Sequence, residues 1–257
     1  MKKSLVLCAD DFAISEPVSD AIVRLANENR ISATSCLTSS PLWPKLAVNL
    51  HVLDSIDVGL HLELTEYQGY RLPTLLIQSY LRRLSVDRLL DIIQTQVDHF
   101  TEHMGRLPDF IDGHQHVHQF PRIRNALLVA YARNFSHSKS YIRCTAPQVA
   151  GGLKGELIAR LGGHALRRRL RHANIPHNQT FAGAYHFKAG INYRNLFNRV
   201  LQESQDGGLV MCHPGVQHEN DPIASMRGRE YSYLMSDDFI ADCEQQRVTI
   251  SRFNTSY

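Results

Sequence analysis

Two adjacent carboxylates, Asp10 and Asp11, stand near the start of the chain. Histidines follow at His61, at His114, His116 and His118, and at His213. One carboxylate with two imidazoles is a common ligand set for a hydrolytic divalent cation, because it leaves positions open for water and substrate. Neighbouring carboxylates on an extended backbone point to opposite sides, so one can hold a cation while the other handles a proton. The run Asp112-Gly113-His114-Gln115-His116-Val117-His118 places three histidines at alternate positions, and an extended backbone would turn all three one way. His213 precedes Pro214-Gly215, a rigid turn that suits a positioned acid or a hydrogen-bonding orienter. Each feature has a plainer reading: a turn beginning at Asp11-Phe12, a satisfied core histidine at His61, a histidine-rich surface loop. Their joint placement argues for a site.

That placement comes from the elements around them. Leu5–Ala9 is a short apolar run suited to a strand buried on both faces, as in a parallel sheet. Ser15 reads as the N-cap of a helix with Glu16 and Pro17 in its first turn, a stripe of Val18, Ile22 and Leu25, and Asn29 at its end. Strands are expected at Ser32–Thr38, Ile56–Leu62, Pro108–Asp112 and Leu209–Cys212, with weaker ones at Tyr141–Cys144 and Thr180–Phe181 and a terminal one at Val248–Ile250. Helices are expected over Trp43–Leu53, from Ser85 past Phe100, over Pro121–Asn134, Leu153–Ala173 and Asp237–Gln246. Tyr67–Pro73 reads as an excursion over the surface, and Gly113–Phe120 as a loop. About seven β/α units in one chain predict a single α/β domain over residues 1–257, a deformed TIM-like barrel of about seven parallel strands. An open doubly wound sheet is the alternative. In a parallel barrel Asp10, Asp11, His61, His114 and His213, all at strand ends, converge on one face.

Composition narrows the partners. Of the 257 residues 43% are hydrophobic and 21% charged, which excludes collagen-like, disordered and coiled-coil classes. A net charge of +3 is far from a nucleic-acid-binding signature. The one basic cluster, Arg167, Arg168, Arg169 and Arg171, has no interleaved aromatic platform and reads as a solvated helix face. Cys8, Cys36, Cys144, Cys212 and Cys243 are odd in number and lack a CxxC pattern, so they are expected to be small buried hydrophobes. The apolar run before Asp10 is too short for a signal segment and nothing reaches the length of a membrane span, so a cytoplasmic protein without stable membrane insertion is expected. Neither GxGxxG after the first strand nor GxxxxGK[ST] anywhere calls for an organic cofactor.

The segments Cys8-Ala9-Asp10-Asp11-Phe12, Ser32-Ala33-Thr34-Ser35, Gly59-Leu60-His61-Leu62, Asp112-x-His114-x-His116-x-His118 and Cys212-His213-Pro214-Gly215 resemble, in order, those of the YdjC-like carbohydrate deacetylases. The resemblance spans nearly the whole chain and implies a deformed TIM-like barrel. It implies an Mg²⁺- or Zn²⁺-dependent hydrolase that removes acetyl from an N-acetylated amino sugar, with a saccharide or glycolipid as substrate and a homodimer as the assembly. Carried over by position, Asp11, His61 and His114 are the metal ligands, Asp10 the general base, His213 the acid, and His116 a substrate-pocket residue. Two positions depart from the pattern: Ala13 where the family usually has glycine, and Gly113 where it usually has serine. A metal-dependent phosphoesterase with the same ligands, for which Arg143 is the candidate phosphate contact, is the alternative, and a non-catalytic sugar-binding protein is a second one.

Overall fold

The computed structural model describes residues 2–187, 190–216 and 221–254. Eight parallel strands form one curled sheet: β1 (Lys3–Phe12), β2 (Ala33–Cys36), β3 (Asp57–Leu62), β4 (Phe110–Gly113), β5 (Tyr141–Ile142), β6 (Phe181–Ala182), β7 (Gly208–Cys212) and β8 (Val248–Ile250). Their order is β5-β4-β3-β2-β1-β7-β6, with β8 also on β1. This is the deformed TIM-like barrel expected. β1 lies at its centre and is buried from Leu5 onward. One edge of β1 carries β7 from Leu5 to Ala9, and the other carries β8 at Lys3–Leu5 and then β2 from Cys8.

Between β5 and β6 the ladder is replaced by a seam. Gln148 bridges to Phe181, and the buried Asn178 carboxamide accepts from the Cys144 N–H at 2.7 Å while donating to the Cys144 and Thr180 carbonyls at 2.8 Å. One side chain thus satisfies backbone groups that a further strand pairing would otherwise serve.

The helices follow their local chemistry. Ser15 caps Glu16–Asn27 by accepting from the Val18 N–H, and Val18, Ile22 and Leu25 are buried. Ser85 caps Val86–Met104 in the same way, and Gly105, left-handed at φ 66°, ends it. Elsewhere the expected boundaries move. Trp43–Leu53 is a single helical turn, Trp43–Leu46, continued by a 3₁₀ turn to Leu50. The surface excursion leads into a helix, Leu72–Tyr80, with Pro73 in its first turn, where the missing N–H costs nothing. The span Leu153–Ala173 divides into Gly152–Ile158 and His164–His172 around a π-type turn, with Gly162 at φ 142°. Helices Tyr193–Glu203 and Ala224–Met235 were not anticipated. All five cysteines are free and buried. No helix among the described residues is long and apolar enough to cross a membrane.

Candidate active site

The carboxyl ends of β1, β3, β4 and β7 open into one cavity of about 720 Å³, lined by Asp10, Asp11, His61, His114, His116 and His213. Six of the seven residues singled out from sequence therefore meet, and His118 does not. The two aspartates separate by a different route from simple strand alternation. β1 is irregular between Ala9 and Phe12, and Asp11 sits at φ 73°, so a bulge aims the two carboxylates at different partners.

Asp11 Oδ1 accepts from His114 Nδ1 at 3.0 Å and lies 3.5 Å from His61 Nε2, while Oδ2 accepts from Arg227 Nη2 at 2.7 Å. One donor atom each from Asp11, His61 and His114 lies within 4.8 Å of the others. This is a carboxylate and two imidazoles, with the spacing and donor chemistry of a divalent-cation site. His61 is oriented from behind: its Nδ1 donates to Asp112 Oδ1 at 2.6 Å, which leaves Nε2 facing Asp11. A carboxylate behind a histidine is the usual support for a metal-binding ring. A second group, Cys8, Asp10 and Asp112, is equally close but is filled by the Arg143 guanidinium.

Asp10 is held by that guanidinium through two bonds, Nη1 to Oδ2 at 2.7 Å and Nη2 to Oδ1 at 2.5 Å. Burial alone would raise its pKa, but the Arg143 charge and hydrogen bonds outweigh burial and hold the carboxyl well below the usual range. Asp11 is likewise held low against burial, by Arg227 and by the bonds from His114 and His61. Burial disfavours the His61 and His114 cations. The carboxylates around them reverse that, moving His61 up to about 10 through Asp112 and Asp11, and His114 up to about 9 through Asp11 and Glu66.

The histidine-rich segment is where the expected geometry fails. His114–Gln119 is a 3₁₀-like turn with Gln115 and His116 left-handed at φ 52° and 59°, so the three histidines do not share one face. His114 turns to Asp11. His116 lies edge-on to Phe181 at 5.8 Å, and burial, with His118 and the Arg143 charge close by, holds its pKa well below the ordinary histidine value. His118 is fully buried and bonds the Arg143 carbonyl at 3.0 Å, away from the cavity. Gly113 permits this fold-back, since a Cβ there would stand 2.8 Å from His118 Nδ1. At Ala13 the chain is left-handed, φ 71°, a conformation in which glycine is comfortable and alanine is strained.

His213 follows Cys212, the partner of Ala9 across the β1–β7 pair, and lies edge-on to Phe187 at 5.3 Å, with its buried Nδ1 unpartnered and its backbone N–H donating to Glu230 Oε2 at 2.5 Å. Burial, opposed by Asp11 and Asp10, brings its pKa down to about 4. Glu230 is fully buried and also accepts from the Tyr185 hydroxyl; burial pushes its carboxyl up to about 7. Arg227 and Glu230 come from the unanticipated helix Ala224–Met235. They, with Asp112, are functional candidates missed in sequence, whereas Arg143, named there as a phosphate contact, instead holds Asp10 and Asp112. Of the three, only Asp112, within the histidine motif, carried a signal.

Similarity to known proteins agrees with this architecture. The sequence model of the YdjC-like protein family matches residues 4–245. A chitooligosaccharide deacetylase of Yersinia enterocolitica is 24% identical over 238 residues, covering 83% of this chain and 82% of its own. A crystal structure from Enterococcus faecalis V583, named for cellobiose-phosphate cleavage, superposes with a TM-score of 0.74 at 17% identity, covering 98% of both chains. A family 4 acetyl xylan esterase from Clostridium thermocellum, solved with a cobalt ion, gives 0.53 at 10% identity, covering 97% of this chain and 88% of that one. These two share the fold. Since the family match runs from β1 through the helix before β8, and so takes in every strand end that faces the cavity, the chain belongs to the YdjC-like family.

Proposed function

We propose that this protein is a divalent-metal-dependent deacetylase that hydrolyses the N-acetyl group of an N-acetylated amino sugar. The carrying observation is the juxtaposition, in one cavity, of the Asp11–His61–His114 donor set and the separately anchored Asp10 carboxylate. The deacetylase among its relatives supports the substrate class. Asp11, His61 and His114 would hold the cation, which when bound would supply Lewis-acid polarisation of the acetamide and a more acidic water. Two imidazoles and one carboxylate suit Zn²⁺ better than Mg²⁺, which prefers an all-oxygen shell.

The protein's own groups handle the protons. Arg143 keeps Asp10 ionised and fixed in orientation, so Asp10 accepts the proton that water loses as its oxygen bonds to the carbonyl carbon. The C–N bond then breaks and the amine nitrogen needs one proton. His213 is neutral at rest, so the proton it gives the amine is the one that Asp10 takes from the water and passes on to it. His116, also neutral, serves as a substrate contact. The products are acetate and the free amino sugar.

A phosphoesterase is less well served. Arg143 is fully buried and tied to Asp10 and Asp112, and Arg227 is tied to Asp11 and Asp221. Both cations are thereby neutralised by the protein's own acids. The test is acetate release from N-acetylglucosamine oligomers, run beside phosphate release from generic phosphoesters, before chelation, after it and after Zn²⁺ readdition. Acetate release lost on chelation and restored by Zn²⁺ is expected. Phosphate release without acetate release would overturn the reading.

A further inference from the structure

The basic cluster that the catalytic site leaves unexplained divides in the structure. Arg167 is structural, its Nη1 donating to the Ala146 and Gln179 carbonyls at 2.8 and 2.6 Å. Arg169, two residues on, instead lines a separate pocket of about 280 Å³ whose walls are Arg82, Pro121, Arg122, Arg124, Asn125 and Arg169. Four arginines from three distant parts of the chain therefore line one pocket that has no carboxylate in its lining. The pocket shares no lining residue with the catalytic cavity.

Like charges so placed repel, and at physiological salt screening acts over only about 8 Å, too far to relieve groups sharing one pocket. Arg124 shows the cost: burial, then the Arg169 and Arg168 charges, pull it below its ordinary pKa. Its buried Nε has no partner, although Nη1 is anchored on the Gln119 carbonyl at 2.8 Å. Arg122 is similarly fixed, with Nε donating to the Leu84 carbonyl at 3.0 Å. The backbone is also unusual here, because Arg82 and Arg122 sit at φ 58° and 66° without glycine's freedom. Two anchored arginines, one with an unpartnered buried donor, beside two more in a pocket without a carboxylate are what an anion site requires.

We propose that this four-arginine pocket binds a phosphoryl group. A carboxylate offers two acceptor oxygens, too few for four forked donors, whereas a phosphoryl group offers three and a charge of about −1.5 to −2. A soluble phosphate compound and a phospholipid headgroup present the same chemistry, and the experiment separates them.

Pyrophosphate and inorganic phosphate are titrated into the full-length protein by calorimetry, against sodium chloride at matched ionic strength. The wild type, an R124Q/R169Q double variant and the charge-preserving Arg169→Lys are compared. Circular dichroism checks folding, and Arg169→Lys serves if the double variant does not fold. Pyrophosphate is expected to bind the wild type and to raise its melting temperature. Affinity should fall about tenfold or more in R124Q/R169Q and by a smaller factor in Arg169→Lys, which keeps the charge but loses the fork. Equal affinity in wild type and variants, or no binding of either anion, overturns the proposal. Co-sedimentation with phosphatidylglycerol/phosphatidylcholine vesicles, displaced by pyrophosphate, assigns the site to a headgroup. Binding of free pyrophosphate without sedimentation assigns it to a soluble ligand.

Discussion

Asp10 and Asp11 are chemically alike and one bond apart, yet their surroundings give them opposite failures. Asp11→Ala removes a donor from the three-residue set, so bound Zn²⁺, measured by elemental analysis, should fall sharply and activity with it. Asp10→Asn should keep the cation and lower kcat by about 10²–10⁴, the usual contribution of a positioned base. It also loosens a buried arginine, at a cost of about 3–5 kcal/mol, softened because Asp112 still pairs with Arg143. Activity must therefore be normalised to folded protein. Metal loss in Asp10→Asn with full occupancy in Asp11→Ala would reverse the two roles. Ala13→Gly relieves about 1–2 kcal/mol of left-handed strain and gives back about 0.4–1 kcal/mol through the looser unfolded chain, so a slightly higher melting temperature is expected. A lower one would show that Ala13 packing matters more than its backbone.

Glu230 carries a pH signature of its own. Its carboxyl titrates near 7 when folded against an ordinary value of 4.5, so stability from its protonated form is complete below pH 4.5 and is lost as pH rises to 7. The loss amounts to about 3 kcal/mol by order of magnitude. Glu230→Gln cannot ionise, so its melting temperature should vary less than the wild type's across that window. Parallel profiles for the two proteins would contradict the assignment.

At the scale of elements, the His114–Gln119 turn is held in place by its neighbours. At Gly162 the π-type turn approaches so closely that a Cβ would lie 2.3 Å from the Gln119 carbonyl oxygen, and φ 142° excludes most side chains anyway. Gly162→Ala should destabilise by about 1–3 kcal/mol and, by shifting Gln119, depress activity beyond what the lost stability explains. Unchanged activity at full folding would mean that the turn keeps its shape without this support. This turn also marks where sequence reading stops. Strand ends were legible because apolar runs bounded by Asp, His and Gly carry their own signal, and the residues on them fell together as expected. The histidine alternation misled because it presumed an extended backbone, whereas Gln115 and His116 adopt left-handed angles that their side chains do not announce. Helix Ala224–Met235 has a weak apolar stripe, with Arg227 and Glu230 among its buried residues, so neither its existence nor its role was visible. Arg143, within a weak expected strand, could be named only as a phosphate contact, and the fold brings it 133 positions back to Asp10.

For the whole molecule, the position of β1 has a consequence for how the chain is made. Its neighbours β7 and β8 come from the last fifty or so residues of the sequence, while β2 follows directly. A growing polypeptide emerging from the ribosome can pair β1 with β2 early. Its other edge, buried in the finished protein from Leu5 to Ala9, stays open until β7 has been synthesised. An unpaired apolar edge is a template for association with other chains. Asp11 also lacks Arg227 until the same late moment. Nascent chains stalled before Gly208 should therefore be cut by protease within β1 and should bind chaperones, whereas chains released after residue 257 should resist. Protection of β1 in the shorter chains would show that the first half of the barrel closes without its end.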